Sequence, residues 1–106
     1  MSRWAVEVIP VAEKEIKKLP DDLQARFLHV AEMLEDLGPH KVGKPHVRHL
    51  GKKLWEMRMT GKDQIARAIY FAAKDKRLVV VRVFVKKTQK TPRREIDTAI
   101  SRIKDL

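Results

Sequence analysis

Residues 54–86 read Leu54-Trp55-Glu56-Met57-Arg58-Met59-Thr60-Gly61-Lys62-Asp63-Gln64-Ile65-Ala66-Arg67-Ala68-Ile69-Tyr70-Phe71-Ala72-Ala73-Lys74-Asp75-Lys76-Arg77-Leu78-Val79-Val80-Val81-Arg82-Val83-Phe84-Val85-Lys86. Three apolar-rich segments, 54–59, 65–72 and 78–86, are separated by the polar spacers 60–64 and 73–77. Spacers this short predict antiparallel strands joined by hairpins. The third segment is apolar on both faces, with Val79, Val81, Val83 and Val85 against Leu78, Val80 and Phe84, which suits a central strand covered on both sides. The two-residue period of a strand also sorts the cations. Arg58 lies with Leu54 and Glu56, opposite Trp55, Met57 and Met59. Arg67 sits among Ile65, Ile69 and Phe71, and Arg82 and Lys86 share a face with Phe84, while Lys87 falls opposite. An arginine in such a strand must reach a rim, a partner or a ligand, because an unpaired charge in a core is costly.

Working outward, residues 4–9 are short, β-branched and loosely alternating, and predict a first strand that ends at Pro10. Proline at a first helical position loses no hydrogen bond, so a short helix is expected from Pro10 to about Leu19. After Pro20, Asp21 is expected as N-cap of a second helix, with Gln24 three residues on as its capping-box partner. Leu23, Phe27, Val30, Leu34 and Leu37 make one apolar stripe along that helix, and Gly38-Pro39 ends it. Residues 38–53 form one long irregular stretch carrying three of the four histidines. Thr91-Pro92 reads as N-cap and N1 of a closing helix with Ile96, Ile100, Ile103 and Leu106 on its apolar edge. The expected order is β-α-α-β-β-β-α: one α+β domain over residues 1–106, a helical hairpin packed on a small, mostly antiparallel sheet.

The chain has 106 residues, too few for two domains that each bury a core. Cysteine is absent, which excludes disulfide scaffolds, thiolate catalysis and cysteine-ligated metal centres. Apolar runs are only a few residues long, and a charge interrupts the region where a signal peptide needs its apolar core, so a cytoplasmic protein away from membranes is expected. The net charge of +10 is unevenly placed. Residues 38–94 hold 17 basic and 3 acidic side chains, whereas residues 1–37 hold 5 and 8. Cations segregated in this way suit a polyanion, since clustered Lys and Arg displace the counterions of phosphates.

Lys86, Lys87, Lys90, Arg93 and Arg94 cluster where the last strand gives way to the final helix, and a bound phosphate would offset their repulsion from the helix N-terminus. Gln89 and Thr88 could orient RNA there. His46 and His49 could serve as acid and base, contact RNA, or lie in a plain surface loop; their spacing also permits a metal, although no carboxylate sits near them in sequence. Tyr70, flanked by Ala68 and Ala72, could line a cleft and stack on a base, or pack in the core. No paired carboxylates stand ready for a divalent ion, so no metal or other cofactor is expected.

At residues 54–58 (Leu-Trp-Glu-Met-Arg), 67–71 (Arg-Ala-Ile-Tyr-Phe) and 84–92 (Phe-Val-Lys-Lys-Thr-Gln-Lys-Thr-Pro), the chain resembles the phage-derived, HigB-like branch of the RelE/ParE toxin superfamily of bacterial toxin–antitoxin modules. The resemblance implies a ribosome-dependent endoribonuclease that cuts translated messages without a metal, through attack of a ribose 2′-hydroxyl on the adjacent phosphate. It also implies neutralisation by a helix-turn-helix antitoxin from the adjacent gene. By the same resemblance Arg67 matches a strand arginine that contacts the scissile phosphate and Lys87 a basic residue of similar role, with Arg58 and Lys86 corresponding less closely. Relatives often place Tyr or His near the final helix as acid or base; here that region reads Thr88-Gln89-Lys90-Thr91-Pro92-Arg93-Arg94. Two other functions fit the same fold: a non-catalytic ParE-like inhibitor of DNA gyrase and a plain RNA-binding module.

Overall fold

The computed structural model describes residues 3–86 and 90–106. Lys87, Thr88 and Gln89 lie outside the described residues. The elements run β1 (Ala5–Val8), α1 (Pro10–Lys17), α2 (Asp21–Leu37), α3 (Pro39–Val42), β2 (Val47–Gly51), β3 (Leu54–Thr60), β4 (Ile65–Ala73), β5 (Arg77–Lys86) and α4 (Arg93–Lys104). Five strands form one sheet in the order β1-β5-β4-β3-β2, antiparallel except where β1 joins β5. The α+β arrangement is the expected one, with a strand and a short helix added inside the stretch read as irregular. No described helix is long and apolar enough to cross a membrane.

One face of the sheet carries α1 against β5 and α2 against β3. Met57, Met59, Ala66, Ala68, Tyr70, Leu78, Val80 and Val83 pack there on Ala12, Leu23, Phe27, Val30 and Leu34. The α2 stripe is the predicted one up to Leu34, while Leu37 is half exposed. On the other face Ile69, Val79, Val81 and Phe84 meet Ala99, Ile96 and Ile103 of α4. Strict alternation along β5 would not group these residues. The register shifts between Ile69, opposite Arg82, and Tyr70, opposite Val80, so Val81 is an extra residue. This bulge changes the phase of the strand and places Val79 and Val81 on the same side as Arg82, Phe84 and Lys86.

Local ends also differ from expectation in instructive ways. Pro10 stands at N1 of α1 as predicted, but the N-cap of α2 is Pro20, and Asp21 is its first residue. Gln24 reaches back instead, donating from Nε2 to the carbonyls of Lys17 and Leu19. Pro92, not Thr91, is the N-cap of α4. Gly38 ends α2 at φ +81° and ψ 162°, a conformation open essentially to glycine, with the Trp4 indole packed over its Cα.

Candidate active site

The α4-bearing face continues beyond that helix across β3, β4 and the end of β5, and there it turns polar. Register sets the arrangement. Glu56 on β3 stands between Ile69 on β4 and Arg48 on β2; Arg67 stands between Arg58 and Phe84; Lys86 stands opposite Ile65. Because alternate residues share a face, Arg48, Glu56, Arg58, Arg67 and Lys86 converge on one side of the sheet. Two like charges directly opposed, as Arg58 and Arg67 are, destabilise a sheet unless a counter-charge lies between them. Glu56 supplies it.

The Glu56 side chain is 0% exposed and that of Arg67 is 9% exposed. Arg67 Nη1 donates to Glu56 Oε1 at 2.7 Å. The hydroxyl of Thr91 donates to Glu56 Oε2. Thr91 was expected as a helix cap, and it is instead a carboxylate partner drawn from the chain just before α4. Arg48, 41% exposed, forms the looser outer edge, with Nη2 3.4 Å from both Glu56 Oε1 and Thr91 Oγ1. Burial pushes the Arg67 guanidinium below its usual range and Glu56 opposes this, while Arg58 and Arg48 add to it. Burial likewise lowers the Lys86 ammonium, followed by the charge of Arg67, with Glu56 again opposing. Four cations therefore surround one carboxylate. Two buried donors here, Arg58 Nε and Arg67 Nε, have no hydrogen-bond partner among the described residues. Orphaned donors in an excess of positive charge are what an anion would satisfy.

The remaining anticipated residues distribute unevenly. Arg93 and Arg94 are exposed at the first turn of α4, where Arg93 pairs with Asp97 and Arg94 lies 3.9 Å from Glu95; Lys90 is exposed just ahead of them. They neighbour Thr91 in sequence. His46 lines a cavity of about 220 Å³ with Arg26, Pro45, Arg58 and Thr60, beside the cluster. His49 does not join it. His46 lies in the turn just ahead of β2, whereas His49 is on that strand and packs against Trp55 with ring centroids 4.6 Å apart. The pair is thus not an acid and base acting together. Tyr70 requires a correction as well: it is fully buried among the core residues facing α1 and α2, where no base can stack on it, and burial pushes the pKa of its hydroxyl up. Among the described residues no group of three or more His, Asp or Glu side chains is placed to hold a metal ion.

Sequence reasoning missed Arg48, Glu56 and Thr91 as members of the cluster. For Glu56 a signal existed, since it is one of only three carboxylates in the basic segment 38–94.

A second ionic network fixes the neighbouring helix. Arg82 bonds Glu15 of α1 and, through Nε at 2.6 Å, Glu95 of α4. Arg102 makes a two-pronged contact with Glu15, at 2.9 and 3.0 Å. Burial raises the Glu15 pKa, but the Arg102 and Val83 hydrogen bonds and the two arginine charges outweigh it and hold the carboxyl below the ordinary range. Here α4 is anchored over Ile69, Val79, Val81 and Phe84.

Comparison with known proteins agrees with this architecture. The family described as Phage derived protein Gp49-like (DUF891) matches residues 14–104. Among solved structures, a mutant of the E. coli toxin RelE in the free state superposes with a TM-score of 0.70 at 13% identity, covering 95% of this chain and 98% of that one. The archaeal RelE in a RelE-RelB complex from Pyrococcus horikoshii OT3 superposes with a TM-score of 0.59 at 27% identity, covering 77% and 93%. No curated protein matches in sequence. The chain therefore belongs to the phage-derived, Gp49-like family of the RelE toxin superfamily.

Proposed function

We propose that this protein is the toxin of a type II toxin–antitoxin module and acts in the cytoplasm as a metal-independent, ribosome-dependent mRNA endonuclease. The observation that carries this reading is the excess of cations, Arg48, Arg58, Arg67 and Lys86, around the single carboxylate Glu56. A scissile phosphate enters at the exposed Arg48 edge, where the 3.4 Å contacts are the weakest to exchange, and engages the unpartnered guanidinium donors. The message's own 2′-oxygen attacks phosphorus, the bond to the 5′-oxygen breaks, and a cyclic phosphate and a free 5′-hydroxyl result. The proton lost from the 2′-hydroxyl is matched by one gained at the 5′-oxygen. Charge builds on the phosphorane as this happens, and fixed cations in a poorly hydrated site stabilise it. Glu56 acts as a positioning residue that holds Arg67 and Thr91 in place. Lys87, carried over from the family resemblance, is a further phosphate contact.

The position of α4 bears on the alternative of a gyrase inhibitor. A final helix lying across the cations would favour inhibition by binding alone; the apolar contacts of α4 are with Ile69, Val79, Val81 and Phe84, which supports the nuclease reading. Inhibition would come from an antitoxin encoded alongside, as the RelE-RelB complex suggests by likeness. The test is message cleavage on purified ribosomes: Arg67→Ala should lower the cleavage rate at least about tenfold, because removing a preorganised charged donor typically costs a few kcal/mol of transition-state stabilisation. Undiminished cleavage by this variant, at equal concentration and with an intact fold, refutes the assignment.

A further inference from the structure

The far end of β4 carries a second concavity. Arg67, Ile69, Phe71 and Ala73 share one face of that strand, and at a rise of about 3.3 Å per residue Ala73 lies about 20 Å from Arg67. Helix α4 stops at Lys104, and a cavity of about 610 Å³ is lined by the end of β1, the β4–β5 hairpin and Leu106. Sites for small ligands run from about 300 to 1,000 Å³ and are mostly apolar, with a few placed polar groups. This one is walled by Val8, Ile9, Phe71, Ala73, Val79 and Leu106. Leu106 is 65% exposed, and Phe71 and Ala73 are only partly covered, so an occupant would remove from water apolar surface that the fold itself leaves wet.

Three charged residues line the same cavity: Glu7, Lys74 and Arg77. Glu7 accepts from both Nε and Nη2 of Arg77, each at 2.8 Å, so its carboxylate is already engaged. Lys74 forms no ion pair among the described residues, which leaves one cation over. The hairpin that presents Lys74 is held from β1. Ala5 N–H donates to the Lys76 carbonyl at 2.9 Å, and the Lys76 ammonium lies 5.7 Å from the centre of the Trp4 ring. Asp75 and Lys76 both have positive φ, which closes the turn tightly. A wall fixed before binding loses less entropy when a ligand arrives.

We propose that this cavity binds a small carboxylate with an apolar body, its tail against Phe71, Val79 and Leu106 and its head at Lys74. Charge complementarity selects the class. An ammonium head would meet Lys74 and Arg77 with the Glu7 carboxylate already engaged, and a neutral head would draw nothing from the Lys74 charge. A nucleotide would press its sugar hydroxyls on a wall that offers them no partners. The site is separate from the Arg67 cluster, and its occupancy does not depend on what that cluster does.

The test titrates octanoate, octanol and octylammonium, which share one tail, into isotope-labelled protein at low ionic strength and below micelle formation. Backbone amide shifts locate the binding. Octanoate should shift Ile9, Phe71, Ala73 and Val79 saturably, with an affinity about three- to fivefold above octanol, the scale of an exposed ion pair, and further above octylammonium. Lys74→Ala should lower octanoate affinity by that same factor and leave octanol unchanged. Ala73→Trp, which fills the cavity, should remove octanoate binding; thermal unfolding checks that both variants fold. Shifts that do not saturate, equal affinity for the three heads, or a Lys74→Ala variant indifferent to the head overturn the proposal. Octanoate shifts confined to residues around Arg67 and Lys86 overturn it as well, because the carboxylate is then only a stand-in for phosphate.

Discussion

Replacing Glu56 with glutamine keeps the shape and an acceptor oxygen but removes the negative charge that Arg48, Arg58, Arg67 and Lys86 share. The largest single loss is with Arg67, whose Nη1 is 2.7 Å from Glu56 Oε1 and whose side chain is only 9% exposed. At an effective dielectric of about 20, unit charges 4 Å apart attract by about 4 kcal/mol. Arg67 stays buried in the variant, so its desolvation is not recovered, and breaking such a pair costs about 3–5 kcal/mol. Arg48, 41% exposed and 3.4 Å away, adds little after solvent screening. Taking about 3 kcal/mol, and about 4 °C or more per kcal/mol for a domain of roughly this size, Glu56→Gln should melt at least about 12 °C lower. The assay is thermal unfolding followed by circular dichroism at low ionic strength, then repeated with sulfate and with chloride at matched ionic strength. Sulfate should raise the melting temperature of the variant more than that of the parent, because a divalent anion now fills the vacated counter-charge. A melting temperature within about 2 °C of the parent, with no selective response to sulfate, would refute the idea that Arg67 depends on Glu56.

Three further outcomes follow from particular contacts. The folded-state pKa of Glu15 lies below its ordinary value, so its contribution is complete above the unfolded pKa near 4.5 and is lost as pH falls through the depressed folded value. Urea unfolding from neutral to acid pH should therefore show a smaller acid-side loss in Glu15→Gln, and parallel curves would contradict this. Tyr70→Phe removes a buried hydroxyl that has no partner among the described residues, so stability should hold or rise by up to about 1 kcal/mol; a clear loss in denaturant unfolding would reveal a bond to that oxygen. Gly38→Ala meets both φ +81° and the Trp4 indole, whose Nε1 would lie 2.6 Å from the new Cβ, and should cost at least about 2 kcal/mol by the same assay, whereas a neutral result would mean that Trp4 moves aside freely.

What could be read from the residues alone depended on whether a pattern was local. Period two along β3 and β4 grouped Arg58 with Glu56 and set Arg67 apart from the small residues beside it, and the register agrees. Strand β2 was not legible: five residues between Pro45 and the turn at Gly51 acquire their conformation from pairing with β3, and Arg48 stayed hidden with them. The Val81 bulge, which regroups β5, likewise arises from pairing rather than composition. The histidine pair was equally illegible, because pairing with β3 sets His49 on β2 against Trp55 while His46 stays in the turn ahead of that strand. Thr91 has the residue type of a cap, and a carboxylate 35 positions away claimed its hydroxyl first.

The edge of β5 has a consequence beyond holding α4. Strand β1 accompanies it only as far as Val80, and the rest of that edge would present bare peptide groups. Glu15 accepts the Val83 N–H at 3.0 Å, and Arg102 donates to the Val81 carbonyl at 2.9 Å. Two side chains thereby occupy the places that a strand from another molecule would take. An uncovered apolar edge of this kind is a template for intermolecular pairing. The Glu15–Arg102 pair acts as a stopper on sheet growth, and substitutions at either position should show first as concentration-dependent association, before any loss of the folded state.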